Sequence, residues 1–392
     1  MPSRVALAPT GFEIAGMRRF LTTLIGAAVI PGMGLGCAKP QRGGGTAPET
    51  AAQPVLQPVL QQVSWDIRPS GTTASLRGLH AVNERVVWAS GQRGTVLRSI
   101  DGGDTWHLVS IPGADSFDIR AIHGRDSLVA HAVATAGRIW KTTDGGRSWA
   151  LRYQAPDTSV FLDAIGFSDA NRGMVLGDPI GGRFLILSTE DDGETWHPAP
   201  PEGRPSALRG EAAFAASGTA LVMDGRGGAW IATGGSAARV LHRPFGEDPW
   251  SAFETPLLKG LPSAGVFSLA VARDHMVAVG GDYQAPNAAR GNAALSTDGG
   301  RTWRQPLVPP RGYRSGVSGA FTLFVAVGPS GSEVSIDGGE RWMPIDTTGF
   351  NAVQLLTSKD HVFAVGAAGR IARITHLVPR IADSFGGIRY EK

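Results

Sequence analysis

The sequence predicts an all-β, seven-bladed propeller of four-stranded blades, and three observations carry that prediction. A short phrase built on Asp-Gly-Gly and Trp recurs five times. Seven Trp fall on one grid, at 65, 106, 149, 196, 250, 303 and 342, separated by 41, 43, 47, 54, 53 and 39 residues. Glycine makes up 54 of 392 residues, about twice its usual ~7% share, and no stretch keeps a helical period. A repeat of 40–50 residues means an array of supersecondary units. Four short strands per unit make the unit a propeller blade.

The chain opens on a leader. Arg18-Arg19 is followed by FLTTLIGAAVIPGMGLG and then Cys37, the only Cys of the chain. A basic start, a short apolar stretch broken by Pro31 and small residues before a break describe an export signal over 1–37, with Met17 as an alternative start. The Cys directly after Gly36 resembles a bacterial lipoprotein signal, which makes Cys37 a lipidation site. Simple secretion and a retained anchor are the alternatives. Residues 38–62 are rich in Pro, Gly, Ala and Gln, the composition of a flexible tether.

The repeat occupies 63–377. In the first unit LRGLHAV, VVWASG, TVLRSI and TWHLVSI read as four strands, short, rich in Val, Leu and aromatics, and bounded by Gly or Asp. The phrase stands as SIDGGDTW (99–106), TTDGGRSW (142–149), TEDDGETW (189–196), STDGGRTW (296–303) and SIDGGERW (335–342). Asp-Gly between strands signals a hairpin, because Gly takes a positive φ and the carboxylate accepts turn N–H groups. Trp65 and Trp250 keep the grid without the phrase. After Trp342 come three strands with no fourth, and before the first unit stands VSWDIRP, a fourth strand with no first three. Pairing them predicts a seventh blade that ties the two ends together and leaves no open sheet edge. Residues 378–392 form a C-terminal tail.

On these motifs the sequence resembles the Asp-box, or bacterial neuraminidase repeat, propellers. With Gly-x-x-Gly before the phrase, as in SGQRGTVLRSIDGGDTW (90–106), it is most similar to the photosystem II assembly/stability factor family. The resemblance covers about 63–377. It implies a protein client bound through an arginine-rich patch, with Arg77, Arg93, Arg120 and Arg226 as the nearest candidates. Asp101, Asp144, Asp191, Asp298 and Asp337 are read as structural members of the phrase.

Strand order places a site. In a four-stranded meander the approach to the first strand and the loop between strands two and three share one face, and the phrase hairpins lie on the other. Aligning the innermost strands gives Arg77, Arg120, Asp163, Glu211, Ser268, Ser315 and Asn351, a polar ring expected at the channel mouth. The second-to-third loops add Gln92, Arg93, Asp178, Arg226, Asp282 and Tyr283, and long loops on a rigid ring commonly carry binding. Solvation of a wet channel is the competing account of this ring. A sialidase-like reading, in which the arginines clamp a carboxylate, would make Tyr283 the nucleophile, Glu211 its partner and Asp163 the acid. Against it, sialidases are typically six-bladed, and Tyr313-Arg314-Ser315-Gly316 is the nearest segment to their Phe-Arg-Ile-Pro motif.

Other chemistry is sparse. One Cys excludes an intrachain disulfide, and no metal-binding, nucleotide-binding or nucleophile-elbow motif occurs. His80 and His123 occupy equivalent first-strand positions and read as repeat residues. The net charge of +3 resides in residues 1–49, and from residue 50 on 32 basic and 32 acidic side chains cancel. That balance argues against a nucleic-acid partner, which selects a clustered positive field. The sequence therefore predicts an exported, monomeric, membrane-tethered and non-catalytic scaffold, periplasmic or at the cell surface. It would use no cofactor and no metal, would touch the membrane only through its N-terminal anchor, and would bind a protein client such as a membrane complex. A glycan-directed hydrolase or lectin is the alternative.

Overall fold

The structure, a computed structural model, describes residues 63–246, 249–358, 361–375 and 377. The leader with Cys37, the tether and the tail from 378 lie outside the described residues. Seven antiparallel sheets follow one another around a ring. Blade one holds Leu76–Ala81, Val87–Gly91, Val96–Ser99 and His107–Leu108, paired in that order. Blade two holds Ile119–Gly124, Ala130–Ala134, Arg138–Thr142 and Ala150–Gln154. Blade three runs from Leu162–Phe167 through Gly173–Ile180 and Arg183–Thr189 to His197–Pro198.

Burial follows this order. The second strand of blade one, VWASG, is buried at every position, whereas its outer pair His107–Leu108 is exposed. A strand buried on both faces reads as a near-continuous apolar run, which is why these segments show no clean alternation. Between blades, Phe184, Phe324 and Phe363 are fully buried. Each such side chain contributes about 2–3 kcal/mol of hydrophobic stabilisation.

Blade seven is built from both ends of the repeat. Asp66–Arg68 pairs antiparallel with Ile371–Thr375, Ile67 opposite Ala372, as the outer strand beyond Ala352–Leu355 and His361–Val365. Blade six holds Gly316–Ala320, Leu323–Gly328, Gly331–Ser335 and Met343–Asp346, and the Trp65 indole donates to its Ser332 Oγ at 2.7 Å.

Blades four and five depart from the repeat. The inner strand of blade four is Leu221–Met223, ten residues beyond the Glu211 position expected from alignment. Glu211–Ala212 instead pairs with Gly234–Gly235, and Gly234 pairs with Gly265 of blade five. The two extra strands extend that sheet past its innermost full-length strand, Ala264–Ala272. A Cβ on Gly234 would meet the Gly265 Cα at 3.0 Å and the Ala264 carbonyl oxygen at 2.8 Å, so only Gly permits the approach. At the other end of blade five the outer strand shrinks to one bridge, Leu295 to Arg304.

Candidate functional site: the channel mouth

The inner strands do not run straight to the mouth. Their register shifts between Leu76 and Gly78, Ile119 and Ala121, Leu162 and Ala164, and Val266 and Ser268. Each shift is a β-bulge, which leaves one residue unpaired and re-aims it. The residues so placed are Arg77, Arg120, Asp163 and Phe267. The aligned strings are LRGL, IRAI, LDAI and VFSL, so the bulge selects the second letter. The expectation for blade five was therefore one residue off. Ser268 is buried; its hydroxyl pairs with Thr219 Oγ1 at 2.6 Å and accepts the Val317 amide at 2.9 Å. It joins blade five to its neighbours.

Arg77, Arg120, Asp163, Ser315 and Asn351 line one cleft of about 540 Å³ at the mouth, together with Asp178 from the end of the second strand of blade three and Tyr283 from the loop after His275–Asp282. Two members mainly stitch blades. Ser315 Oγ donates to the Asn351 carbonyl at 2.7 Å, and Asn351 Nδ2 donates to the Leu76 carbonyl at 2.8 Å. Deeper in the channel His80 has the same role: its Nδ1 accepts the Gly124 amide at 3.1 Å. Burial pushes the His80 imidazole down to about 4, a neutral acceptor at any ordinary pH. His123 stacks on it at 4.1 Å between centroids. Among the described residues no group of three metal-binding side chains occurs.

The charged members differ. Arg120 is paired with Asp118 at 2.9 Å and lies 5.7 Å from the Phe161 ring centroid. Arg77 makes no ion pair or hydrogen bond with the described residues. Desolvation, then the Arg120 charge, lowers its pKa. Asp163 is 1% exposed, and neither of its carboxylate oxygens has a hydrogen-bond partner. Desolvation, then the Asp178 charge, raises its pKa well above the usual range. Asp178 accepts the Ala213 amide at 3.1 Å and is also raised by burial.

Sequence reasoning missed the aromatic wall. Phe214 stacks on Phe267 at 3.9 Å and 7°, Tyr313 meets Phe267 edge-on at 4.8 Å, and Tyr283 does so at 6.2 Å. Phe267 was legible had the bulge been recognised. Phe214 was not, because it belongs to the excursion that carries Glu211 away from the inner strands.

Four expected site residues lie elsewhere. Glu211 is no channel residue: Arg239 binds its carboxylate through Nε at 2.8 Å and Nη2 at 2.5 Å, and the Thr233 hydroxyl donates to it at 2.6 Å. The partner that a Tyr283 nucleophile needs is thus held in a separate buried ion pair. Arg226 sits in the 224–228 turn between the first and second strands of blade four, on the face of the phrase hairpins, because that turn closes at the far end of the meander. A Cβ on the adjacent Gly227 would meet the Phe245 ring at 2.6 Å, which fixes the turn against Phe245. Arg93 and Asp282 stay on the mouth face outside the cleft. Arg93 donates to Thr73 Oγ1 at 3.3 Å, and Asp282 accepts the Gln284 amide at 2.9 Å within its own turn. Arg314, from the segment nearest the sialidase motif, is buried against Glu333 at 2.8 Å.

The phrase carboxylates point into their own turns. Asp144 accepts the Thr142 hydroxyl at 2.9 Å and the Ser148 amide at 2.9 Å, and the Gly146 amide donates to Thr142 Oγ1 at 2.9 Å. The same three bonds recur around Asp101, Asp191, Asp298 and Asp337.

No protein-family model matches the chain. A photosystem II assembly lipoprotein, Ycf48 of a Nostoc species, is 27% identical over 182 residues, 45% of this chain and 44% of that protein. The fold match is broader. The solved structure of Ycf48 bound to a D1 peptide covers 79% of this chain and 94% of its own, with TM-score 0.59 and 18% identity. The chain is a propeller similar to Ycf48. Ycf48 from Cyanidioschyzon merolae matches over 80% of this chain and 99% of its own at TM-score 0.58 and 15% identity. At these identities the Ycf48 structures establish the common fold. The sequence match spans less than half the length of the curated relative.

Proposed function

We propose that the chain is a non-catalytic scaffold that retains a protein client, a segment of a membrane complex, on its mouth face. The observation that carries this reading is the cleft itself: an unpaired Arg77 beside Arg120, a buried Asp163 without partners, and an aromatic wall. Desolvated charges held without internal partners cost stability, and a complementary ligand repays that cost. The similarity to Ycf48, solved with a D1 peptide, supports a peptide-like segment as the occupant. The sialidase-like alternative loses its catalytic pair, since Glu211 is engaged by Arg239.

The reading includes export, with Cys37 lipidated and residues 38–62 as the tether of a monomeric propeller outside the cytoplasm. The lipoprotein relative supports this.

The full chain, immobilised and exposed to detergent-solubilised membranes of its source, should retain a client that the Arg77→Glu, Arg120→Glu double variant loses. Equal retention by both proteins would move the site off this face, and turnover of a glycoside by the wild type would replace the reading with a hydrolase.

A further inference from the structure

The mouth cleft is chemically divided. Blades one and two contribute the guanidinium groups of Arg77 and Arg120. Blade three contributes Asp163 and Asp178, and Asp118 already neutralises Arg120. Two guanidinium groups therefore share the mouth with three carboxyl groups, and burial with the Asp178 charge favours the neutral form of Asp163 in the empty cleft. The wall of Phe214, Phe267, Tyr283 and Tyr313 lines the same cleft. Asp163 is the unusual member, 1% exposed yet lining the cleft with both oxygens unpartnered.

From this juxtaposition we propose that the cleft is a cation-recognition pocket, in which Asp163, backed by Asp178, receives a lysine or arginine side chain of the client against the aromatic wall. The inference rests on the scaffold reading and names the chemistry of the residue that the scaffold recognises. Carboxylate oxygens with no internal donor accept a charged N–H group at full strength, since no existing bond is given up. Aromatic faces add a cation–π attraction that grows as the site is desolvated. A guest cation beside Asp163 favours its ionised form and takes the place of the proton that burial favours. An anion would be drawn to Arg77 but would gain nothing from Asp163, whose ionised form it disfavours.

The rest of the molecule offers less. His80 is committed to backbone and neutral at ordinary pH with the His123 ring packed on it, and the charge network of Arg125, Lys141, Asp192 and Glu194 is internally paired.

The test uses the full chain and four small probes followed by ligand-observed NMR titration: the Nα-acetyl amides of arginine and lysine, and their neutral counterparts from citrulline and norleucine. The wild type should prefer each cation over its neutral counterpart by about tenfold, and Asp163→Asn should abolish that preference. Asp163→Asn replaces a buried carboxyl group without partners by a neutral amide of the same shape, so its melting temperature should match or exceed the wild type's, which separates lost recognition from lost folding. Equal binding of charged and neutral probes overturns the inference. So does a cation preference that survives Asp163→Asn, or a lower melting temperature in that variant, which would mean that Arg77 already pairs with Asp163. Client retention on wild type and Asp163→Asn is read in parallel. Retention that depends on Arg77 and Arg120 but not on Asp163 defeats the inference and leaves the scaffold reading standing. Retention that depends on none of them defeats both.

Discussion

Glu211 and Arg239 show how far one residue's role depends on where the backbone carries it. Read along the strand repeat, Glu211 belongs to the channel. In the fold its side chain is fully buried and accepts four hydrogen bonds, one from the Leu208 amide, one from the Thr233 hydroxyl and two from Arg239. Removing one partner of a buried ion pair leaves the other charge uncompensated, which costs about 3–5 kcal/mol. Arg239→Ala should therefore lower the unfolding free energy in urea by about 3 kcal/mol without changing client retention. A loss below ~1 kcal/mol would mean that the pair is solvated like a surface bridge. Asp163 shows the opposite case at the same scale: the aligned position was legible, whereas the absence of any donor around it was not.

The recurring turn is the element that makes the sequence readable. In blade one Ser99 Oγ donates to Asp101 Oδ1 at 2.8 Å and accepts the buried Gly103 amide at 2.8 Å. Ser99→Ala leaves that amide without a partner and should cost about 1–3 kcal/mol, measured by denaturant unfolding. The carboxylates carry a pH signature. The Ser148 hydroxyl and amide hold Asp144 down to about 2, and the Thr195 hydroxyl and amide do the same for Asp191. A carboxylate whose folded pKa lies below its unfolded 3.8 stabilises fully above that value and loses its contribution as pH falls toward 2. The contribution of Asp144 to the melting temperature should thus be constant above about pH 4.5 and be lost between pH 4 and 2, so that the fall over that range is shallower in Asp144→Asn. An unchanged slope in that variant would remove Asp144 from the account. The bulged inner strand is the other decisive element. It shifts the presented residue by one, so Phe267 rather than Ser268 faces the cleft, a displacement invisible to alignment by spacing.

At the scale of the whole molecule, the seam decides cohesion. Asp66–Arg68 joins Ile371–Thr375, and the Trp65 indole reaches Ser332 in the preceding blade. Trp65 is buried against Phe350 at 4.8 Å between ring centroids. Trp65→Ala should cost about 3–5 kcal/mol and open blade seven first. Hydrogen exchange should show early loss of protection in 352–375 while the 76–99 strands stay protected. Uniform loss around the ring would make the seam no weaker than any other blade contact.

Sequence alone determined the class, the number of blades and the turn chemistry, because these are set by interactions within some fifty residues and are repeated with little change. It also brought Arg77, Arg120, Asp163, Asp178 and Tyr283 to one face, since strand direction alternates strictly in a meander. Only the tertiary structure decided which of them are free. Whether a charged side chain finds a partner depends on groups from other blades: Arg239 for Glu211, Asp118 for Arg120, and none for Asp163. The aromatic wall was decided there too, by a bulge and a glycine-permitted strand excursion that local spacing does not encode.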